Sequence, residues 1–330
     1  MPRFHMIHKK VSICLLLILV LAACDPAPPS NPASLLPTQT APTTVPPTNP
    51  PSQPTTTPEV PPPVIDPEFW QRVDGSTATI PLSEEIIAFL HGADAYAILQ
   101  SFNHTTTPYA YENLLNGDAD LIFVTYPSEE ELAEFAAAGV EIQLIPVVKD
   151  ALVMLVNVDN PVSGLTAAQL RDIYSGKITN WQEVGGPDRE ILAFQRTPNS
   201  GSQTLFLKLL MAGVEPMAAP SEWIVAGMAG LVDAVSSYDN GLESLGYNMF
   251  YFVDEMYGNE QFKLLAVDGV YPDRGSIARG EYILETFYYA VLRADTPADH
   301  PARELIAWML RESAQRLFEQ IGYVPLWELD

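Results

Sequence analysis

The chain of 330 residues has only two cysteines, Cys14 and Cys24, and few basic side chains. Cys14 lies in an N-terminal segment that we expect to be removed, so the remaining chain cannot form an internal disulfide. Lys and Arg together number 17 against 41 Asp and Glu, which gives a formal net charge of −24. This acidic balance argues against nucleic acid and against anionic membrane surfaces as partners.

Histidine is scarce as well, and the usual patterns of a metal site or a hydrolase are missing. After the N-terminal segment the histidines are His91, His104 and His300, without a His-Glu-x-x-His spacing or cysteine ligands, so zinc is not expected. A Gly-x-Ser-x-Gly nucleophile elbow is also absent from the sequence. We therefore expect no metal, no cofactor and no enzymatic activity. A hydrolase of anionic substrates is an alternative that would need a nucleophile and a base.

Residues 1–23 are typical of a lipoprotein signal peptide rather than of a membrane span. Three basic side chains precede the apolar run VSICLLLILVLAA, which is too short for a comfortable span. The run ends in LAAC, residues 21–24, and two small residues before a cysteine resemble a bacterial lipoprotein cleavage site. The resemblance implies a lipid on Cys24 that anchors an extracytoplasmic protein to the cell membrane. An ordinary signal peptide with an unrelated cysteine is the alternative.

Residues 24–63 are dominated by proline and threonine and contain no aromatic side chain. Such a segment cannot bury a core, so we predict a disordered stalk rich in polyproline II. At ~3.1 Å per residue its reach is on the order of 100 Å. The globular domain is therefore placed at 64–330, and we expect a fragment that starts near Asp66 to fold and bind without the stalk.

Short strand patterns alternate with helical patterns in the globular domain. This alternation predicts an α/β fold with mostly parallel sheets, and the length of the domain predicts two lobes. Capping signals and apolar periodicity predict helices at 81–92, 128–139, 166–176 and 202–213, and apolar runs predict strands at 95–102, 120–126, 141–148, 151–158 and 189–194.

Residues 165–206 combine several turns and helix starts in a specific order. They read LTAAQLRDIYSGKITNWQEVGGPDREILAFQRTPNSGSQTLF, with Ile-Thr-Asn-Trp and Gly-Gly-Pro-Asp turns, an arginine and a Ser-Gly-Ser helix start. This block resembles the phosphate-type solute-binding proteins of ABC importers, the PstS-like group of the type II periplasmic-binding-protein family. DGSTATIPL (74–82) and IGYVPL (321–326) fit the same family, so the resemblance covers nearly all of 70–326.

The resemblance implies a two-lobed α/β fold of the type II periplasmic-binding-protein class, with a hinge and a central cleft. Lobe 1 is placed at about 66–155 and 286–330, and lobe 2 at about 156–285. The domain would act as a monomer that captures a small inorganic oxyanion, phosphate in the family, for an ABC permease and its ATPase. A sensing or adhesive module of the same fold without a transporter is the alternative.

The residues that follow the strand pattern at 189–194 favour an anion site on chemical grounds. The start of a helix presents N–H groups without internal partners, and the helix dipole attracts negative charge. Arg196 can bind two oxygens of a tetrahedral anion at once. Ser200 and Ser202 add hydroxyl donors, and Gly201 permits close approach to the backbone. The simpler interpretation is a helix cap at Ser200 and a surface arginine.

The loop before the first predicted helix supplies further candidate donors. The family's Thr-Phe-Pro run, whose loop contributes a hydroxyl and backbone N–H groups to the ligand, matches Thr79, Ile80 and Pro81 here. Ser76 and Thr77 stand in the same loop. A helix cap without a ligand is the alternative for this segment.

Two later segments complete the candidate site. In NHTTTPYAYENL (103–114), Thr106 or Thr107 stands before a helical pattern as a hydroxyl donor. Phosphate binders of the family next place an aspartate that accepts the proton of hydrogen phosphate, where this sequence has Thr125 or Tyr126. A tyrosine hydroxyl both donates and accepts, so Tyr126 substitutes only in part. The identity of the anion therefore stays open.

Overall fold

The computed structural model describes residues 61–237, 241–258 and 260–329. The predicted signal peptide, the predicted acylation site Cys24 and nearly all of the predicted stalk lie outside the described residues. Within the described ranges, none of the helices combines the length and the apolar character that crossing a bilayer requires.

Helices pack against one main β-sheet, and two smaller sheets accompany it. The strands are β1 (Val73–Gly75), β2 (Leu121–Val124), β3 (Ile142–Asn157), β4 (Gly164–Leu165), β5 (Leu192–Ala193), β6 (Gln195–Arg196), β7 (Ile224–Val225), β8 (Ser244–Met249), β9 (Phe262–Leu264), β10 (Ala266–Val267) and β11 (Glu285–Arg293). The helices are α1 (Ile80–His91), α2 (Ala95–Leu99), α3 (Thr107–Asn116), α4 (Glu129–Ala138), α5 (Ala167–Tyr174), α6 (Gly201–Leu205), α7 (Met228–Ser236), α8 (Arg274–Ala278), α9 (Pro301–Met309) and α10 (Glu312–Gln320).

Strand β3 carries the chain from lobe 1 into lobe 2. The main sheet has the order β1-β2-β11-β3-β8-β5, and β9 also pairs with β3. Residues of β3 up to Ala151 pair with β11, and residues from Leu152 onward pair with β8. Strand β3 therefore changes its pairing partner between Ala151 and Leu152, a few residues before the predicted end of the first part of lobe 1 at residue 155. The return crossing is β11, which begins at Glu285.

The sequence predicted two strands where the structure has the single strand β3. The polar pair Lys149 and Asp150 interrupts the apolar run and suggested a break between strands. Asp150 stays in the strand because its buried carboxylate accepts hydrogen bonds from the N–H groups of Ala151, at 2.7 Å, and Tyr251, at 3.0 Å.

The prediction of mostly parallel sheets was wrong. In the main sheet, β11 is antiparallel to both β2 and β3, and β3 is antiparallel to β8 and β9. Only the pairs β1–β2 and β5–β8 of that sheet are parallel among the described strands. The cause is the topology: β3 leaves lobe 1 and β11 returns to it, so two central, neighbouring strands run in opposite directions.

The prediction of a strand at 95–102 was also wrong, because this segment contains helix α2. The buried side chains are Ala95 and Ile98, three residues apart, while Tyr96 is exposed. That spacing is helical. A short apolar run does not distinguish a strand from a buried helix, so only packing against α1 decides its conformation.

Helices with clear capping signals were predicted correctly. At α4, the Ser128 side chain accepts from the Glu131 N–H and the Glu131 carboxylate accepts from the Ser128 N–H, and Gly139 ends the helix in the left-handed conformation. Thr166 and Gln169 form the same capping box at α5. The predicted helix at 202–213 is present as α6 and a π-helical continuation, Phe206–Met211.

The folded domain begins before Asp66. Ile65 is 4% exposed and belongs to the core, and Pro63 is buried as well. Arg311 Nη1 donates to the carbonyl oxygen of Pro61 at 3.2 Å. The expectation that a fragment from near Asp66 folds and binds stays a prediction, and these contacts suggest that such a fragment loses stability.

We expect a fragment that starts at Asp66 to unfold at lower urea concentration than one that starts at Pro61. Full burial of an isoleucine side chain stabilises a protein by about 1.5–3 kcal/mol, so the shorter fragment should lose about 2 kcal/mol of unfolding free energy. Urea melts of the two fragments and of the mature chain measure this difference. Equal midpoints for both fragments would show that Ile65 contributes nothing to the core.

Candidate functional site

A cavity of about 530 Å³ lies between the two lobes. Eight of the predicted contact residues line it: Ser76, Thr77, Thr106, Thr107, Arg196, Ser200, Gly201 and Ser202. The other three, Thr79, Ile80 and Tyr126, do not line this cavity. Lobe 1 contributes the loops before α1 and α3, and lobe 2 contributes β6 and the starts of α6 and α7.

Three helix N-termini meet at the cavity. Helix α3 follows Thr106, α6 follows Ser200 and α7 follows Gly227, and none of these N-cap positions makes a side-chain cap hydrogen bond. The first N–H groups of a helix have no partner within the helix, and the helix dipole makes this end positive. The walls of the cavity therefore present backbone donors from both lobes to a bound anion.

Arg196 is held rigidly at the end of β6. Its Nε donates to the carbonyl oxygen of Val225 at 3.0 Å, Nη1 to Ser202 Oγ at 3.1 Å and Nη2 to the carbonyl oxygen of Ala226 at 2.9 Å. The Arg196 N–H donates to Gln203 Oε1 and to the Tyr247 hydroxyl, both at 3.1 Å. These contacts fix the guanidinium before any ligand arrives.

The Arg196 side chain is a buried cation without a carboxylate partner. The residue is 6% exposed, and among the described residues no carboxylate forms an ion pair with it. Burial lowers the pKa of the Arg196 guanidinium, because low polarity disfavours the charged form. A guanidinium has five N–H donors, and protein acceptors take three of them. The remaining two, one on each Nη, suit a bidentate oxyanion.

Three residues that line the cavity have a buried hydroxyl without a hydrogen-bond partner in the described part of the chain. They are Ser200, Thr125 and Tyr288. The interpretation of Ser200 as an ordinary side-chain cap does not hold, since its hydroxyl makes no cap bond to α6. A buried polar group left unpaired costs about 1–3 kcal/mol. A ligand with oxygen atoms would satisfy the hydroxyls of Ser200 and Thr125.

The predicted residues outside the cavity have structural contacts instead. The Thr79 hydroxyl lies 2.9 Å from the carbonyl oxygen of Ser76 and 2.8 Å from that of Phe123, so it holds the loop against β2. The ring of Tyr126 lies under Lys208 Nζ, at 2.9 Å from the ring centroid, on a separate cavity. Of the two residues considered for the family's aspartate position, Thr125 lines the cavity between the lobes.

Asp74 positions the Thr105–Thr107 segment, a role that the sequence did not reveal. Its carboxylate accepts from the Thr105 N–H at 2.7 Å, the Thr105 hydroxyl at 2.6 Å and Asn113 Nδ2 at 2.8 Å. In the sequence, Asp74 before a glycine has the pattern of a turn residue, and only the fold brings it to Thr105. Because both carboxylate oxygens are engaged, Asp74 orders the start of α3.

His104 supports the neighbouring loop from behind. Its Nδ1 lies 3.0 Å from the carbonyl oxygen of Ser76, and its Nε2 lies 3.2 Å from Ser83 Oγ. Burial lowers the pKa of His104 to about 4, so the imidazole is neutral near pH 7. A neutral ring keeps one donor and one acceptor for these contacts.

The lobes touch each other at the rim of the cavity. A Cβ atom on Gly201 would lie 2.5 Å from Thr125 Oγ1 and 2.9 Å from Thr107 Oγ1. Asn199 Nδ2 donates to Glu130 Oε2 across the cleft at 2.7 Å. The glycine at position 201 therefore permits the contact between lobe 2 and lobe 1.

Comparison with known proteins places the chain among binding proteins. A model of the PBP superfamily domain matches residues 95–313. The phosphate-binding protein PstS of Bacillus subtilis is 27% identical over 175 residues, which cover 53% of this chain and only 54% of that protein. PstS of Staphylococcus saprophyticus is 23% identical over 257 residues, covering 77% of this chain and 79% of that protein.

The fold comparison agrees with the sequence comparison. An ABC-type phosphate transport receptor from Vibrio cholerae superposes with a TM-score of 0.57 and 24% identity, over 76% of this chain and 98% of that chain. This similarity confirms the predicted two-lobed α/β fold. The matches in sequence confirm the resemblance that residues 165–206 indicated.

Proposed function

The chain belongs to the PBP superfamily, and on that premise we propose that it is an extracytoplasmic solute-binding lipoprotein that captures a phosphate-type oxyanion for an ABC importer. The partners would be a permease and an ATPase of the membrane, and the lipid on Cys24 would hold the binding domain near them. The names of the relatives support phosphate as the first anion to test.

The observation that carries the proposal is the buried Arg196 with no carboxylate partner in the described ranges. An uncompensated buried charge is strongly unfavourable, and the protein oxygens around Arg196 leave two N–H donors for a ligand. The unpaired hydroxyls of Ser200 and Thr125 lie in the same cavity. An oxyanion would satisfy the charge and both hydroxyls at once.

Binding would occur in two steps, capture and closure. Arg196, Ser200 and the start of α6 all belong to lobe 2 and could hold the anion first. Lobe 1 would then add Thr125 and the start of α3 when the lobes meet at Gly201. The two strands that cross between the lobes, β3 and β11, permit a hinge motion that closes the domains around a ligand. Periplasmic binding proteins close in this way.

The net negative charge of the chain does not prevent anion binding, because the hydrogen-bond donors act locally in the cleft.

A thermal-shift experiment on the mature chain tests the proposed function. Ligand at about 100 times its Kd stabilises a protein by about 2.7 kcal/mol, which raises the Tm of a domain of this size by several degrees. We expect such a rise with phosphate or another tetrahedral oxyanion, and none with chloride at equal ionic strength. If phosphate, sulfate, molybdate and phosphate esters all leave the Tm unchanged, the proposed function is wrong.

We expect Cys24→Ser to abolish lipid attachment. The LAAC sequence places the only candidate thiol for acylation at the predicted cleavage site. In cells fed a labelled fatty acid, the variant should lose the label and either stay unprocessed or leave the membrane fraction. Cys14→Ser is the matched control, because Cys14 lies inside the predicted signal peptide and should not affect labelling. Labelled Cys24→Ser protein in the membrane would refute the anchor.

A further inference from the structure

The size and lining of the cavity point to a ligand larger than an inorganic ion. We propose that the natural ligand is a phosphomonoester, with its dianionic head bound by Arg196 and its organic substituent filling the rest of the cavity. This inference rests on the proposed function, because it concerns the same site.

The cavity is too large for a tetrahedral ion alone. Its volume is about 530 Å³, whereas an ion of five heavy atoms takes up roughly two to three water volumes of about 30 Å³ each. The lobes already touch where Gly201 meets Thr125 and Thr107, and Asn199 reaches Glu130. The lobes are therefore already in contact at this rim, and the part of the cleft that an ion leaves free has room for another part of the ligand.

Part of the cavity wall is apolar. It includes Ala78, Met228 and Met249, from both lobes. Met249 of β8 is 2% exposed, and Tyr288 of β11 contributes its ring together with a buried hydroxyl that has no partner among the described residues. An inorganic anion makes no use of an apolar wall, whereas a hydrocarbon substituent gains affinity by contact with it.

The polar part of the wall also fits an ester better than hydrogen phosphate. None of the described residues that line the cavity carries a carboxylate, and both oxygens of Asp74 are engaged by its own neighbours. Hydrogen phosphate keeps one hydrogen that needs an acceptor, and the described lining offers it only hydroxyl and carbonyl oxygens, which are weaker acceptors than a carboxylate. A phosphomonoester above its second pKa of about 6 has three terminal oxygens without hydrogen. Such a head matches a site made of Arg196, hydroxyls and helix N–H groups.

Calorimetric titration of the mature chain with four probes tests the inference. The probes are inorganic phosphate, inorganic sulfate, glycerol phosphate and phenyl phosphate, all at about pH 8, where the esters are dianions. We expect at least one ester to bind about tenfold or more tighter than inorganic phosphate. If inorganic phosphate or sulfate binds as tightly as both esters or tighter, the inference is overturned and the proposed function stands. If no probe binds, the inference and the proposed function are both overturned.

The Met228→Trp variant tests where the substituent lies. Met228 is half-buried at the first position of α7, so a larger side chain there can extend into the cavity without displacing the core. We expect the ratio of ester affinity to phosphate affinity to fall by about tenfold or more. Met228→Leu, of similar volume, should keep the ratio of the native chain. An unchanged ratio in Met228→Trp, in a variant with the native Tm, would contradict the assignment of this wall to the substituent.

Discussion

Replacing Arg196 by alanine is expected to weaken anion binding by about 100-fold or more. A hydrogen bond to a charged group is worth about 1.5–3 kcal/mol, and Arg196 has two N–H donors left for a ligand after its protein contacts. Each 1.4 kcal/mol corresponds to about tenfold in affinity. Calorimetric titration of the native chain and the variant with the anion selected by the thermal screen gives this ratio.

Arg196→Lys should recover only part of the loss. An ammonium group cannot reproduce the planar fork that reaches Val225, Ala226 and the anion together. The Tm of free Arg196→Ala should stay close to the native value, because removal of an uncompensated buried charge offsets the lost hydrogen bonds. Binding by Arg196→Ala within about threefold of the native chain, under ~1 kcal/mol, would place the site elsewhere.

Gly201→Ala is expected to weaken anion binding by about 30-fold or more. The new Cβ would lie 2.5 Å from Thr125 Oγ1 and 2.9 Å from Thr107 Oγ1, so the lobes could not reach their present contact. Loss of the donors from lobe 1 removes about two hydrogen bonds, worth about 1–1.5 kcal/mol each and so about 2–3 kcal/mol together, which is about 30-fold or more in affinity. The same calorimetric titration measures this loss.

The free Gly201→Ala protein should be as stable as the native chain, since Gly201 is the first residue of α6 and alanine favours a helix. The double variant Gly201→Ala/Thr125→Ala supplies the control for the contact between the lobes. Thr125→Ala removes the hydroxyl that the new methyl group meets, so the two substitutions should not be additive. The double variant should lose less binding free energy than the two single variants lose together. Native affinity in Gly201→Ala, or strict additivity in the double variant, would show that contact at this point is not needed for binding.

The sequence allowed prediction of those features that depend on local chemistry. The caps of α4 and α5 involve residues three apart in the chain, so their side chains are sufficient to define the helix ends. The Ser-Gly-Ser start of α6 and Arg196 are also close in sequence, and they line one cavity. Their place at a strand end and a helix start was enough to suggest an anion site.

Features that depend on distant contacts could not be predicted in the same way. Asp74 lies next to Thr105 only because β1 and the loop before α3 come together in the fold. The choice between Thr125 and Tyr126 depends on which of the two lines the cavity, because Tyr126 packs against Lys208 of lobe 2 outside it. The antiparallel pairing of β3 and β11 brings together segments more than a hundred residues apart.

The most direct test of the anion site is a crystal structure of the mature chain with phosphate at saturating concentration. The account predicts a tetrahedral anion in the cavity, with oxygens at about 2.7–3.2 Å from both Nη atoms of Arg196 and about 2.5–3.0 Å from Ser200 Oγ and Thr125 Oγ1. An anion bound at another place, with Arg196 paired to a carboxylate of the protein and only water in the cavity, would contradict it.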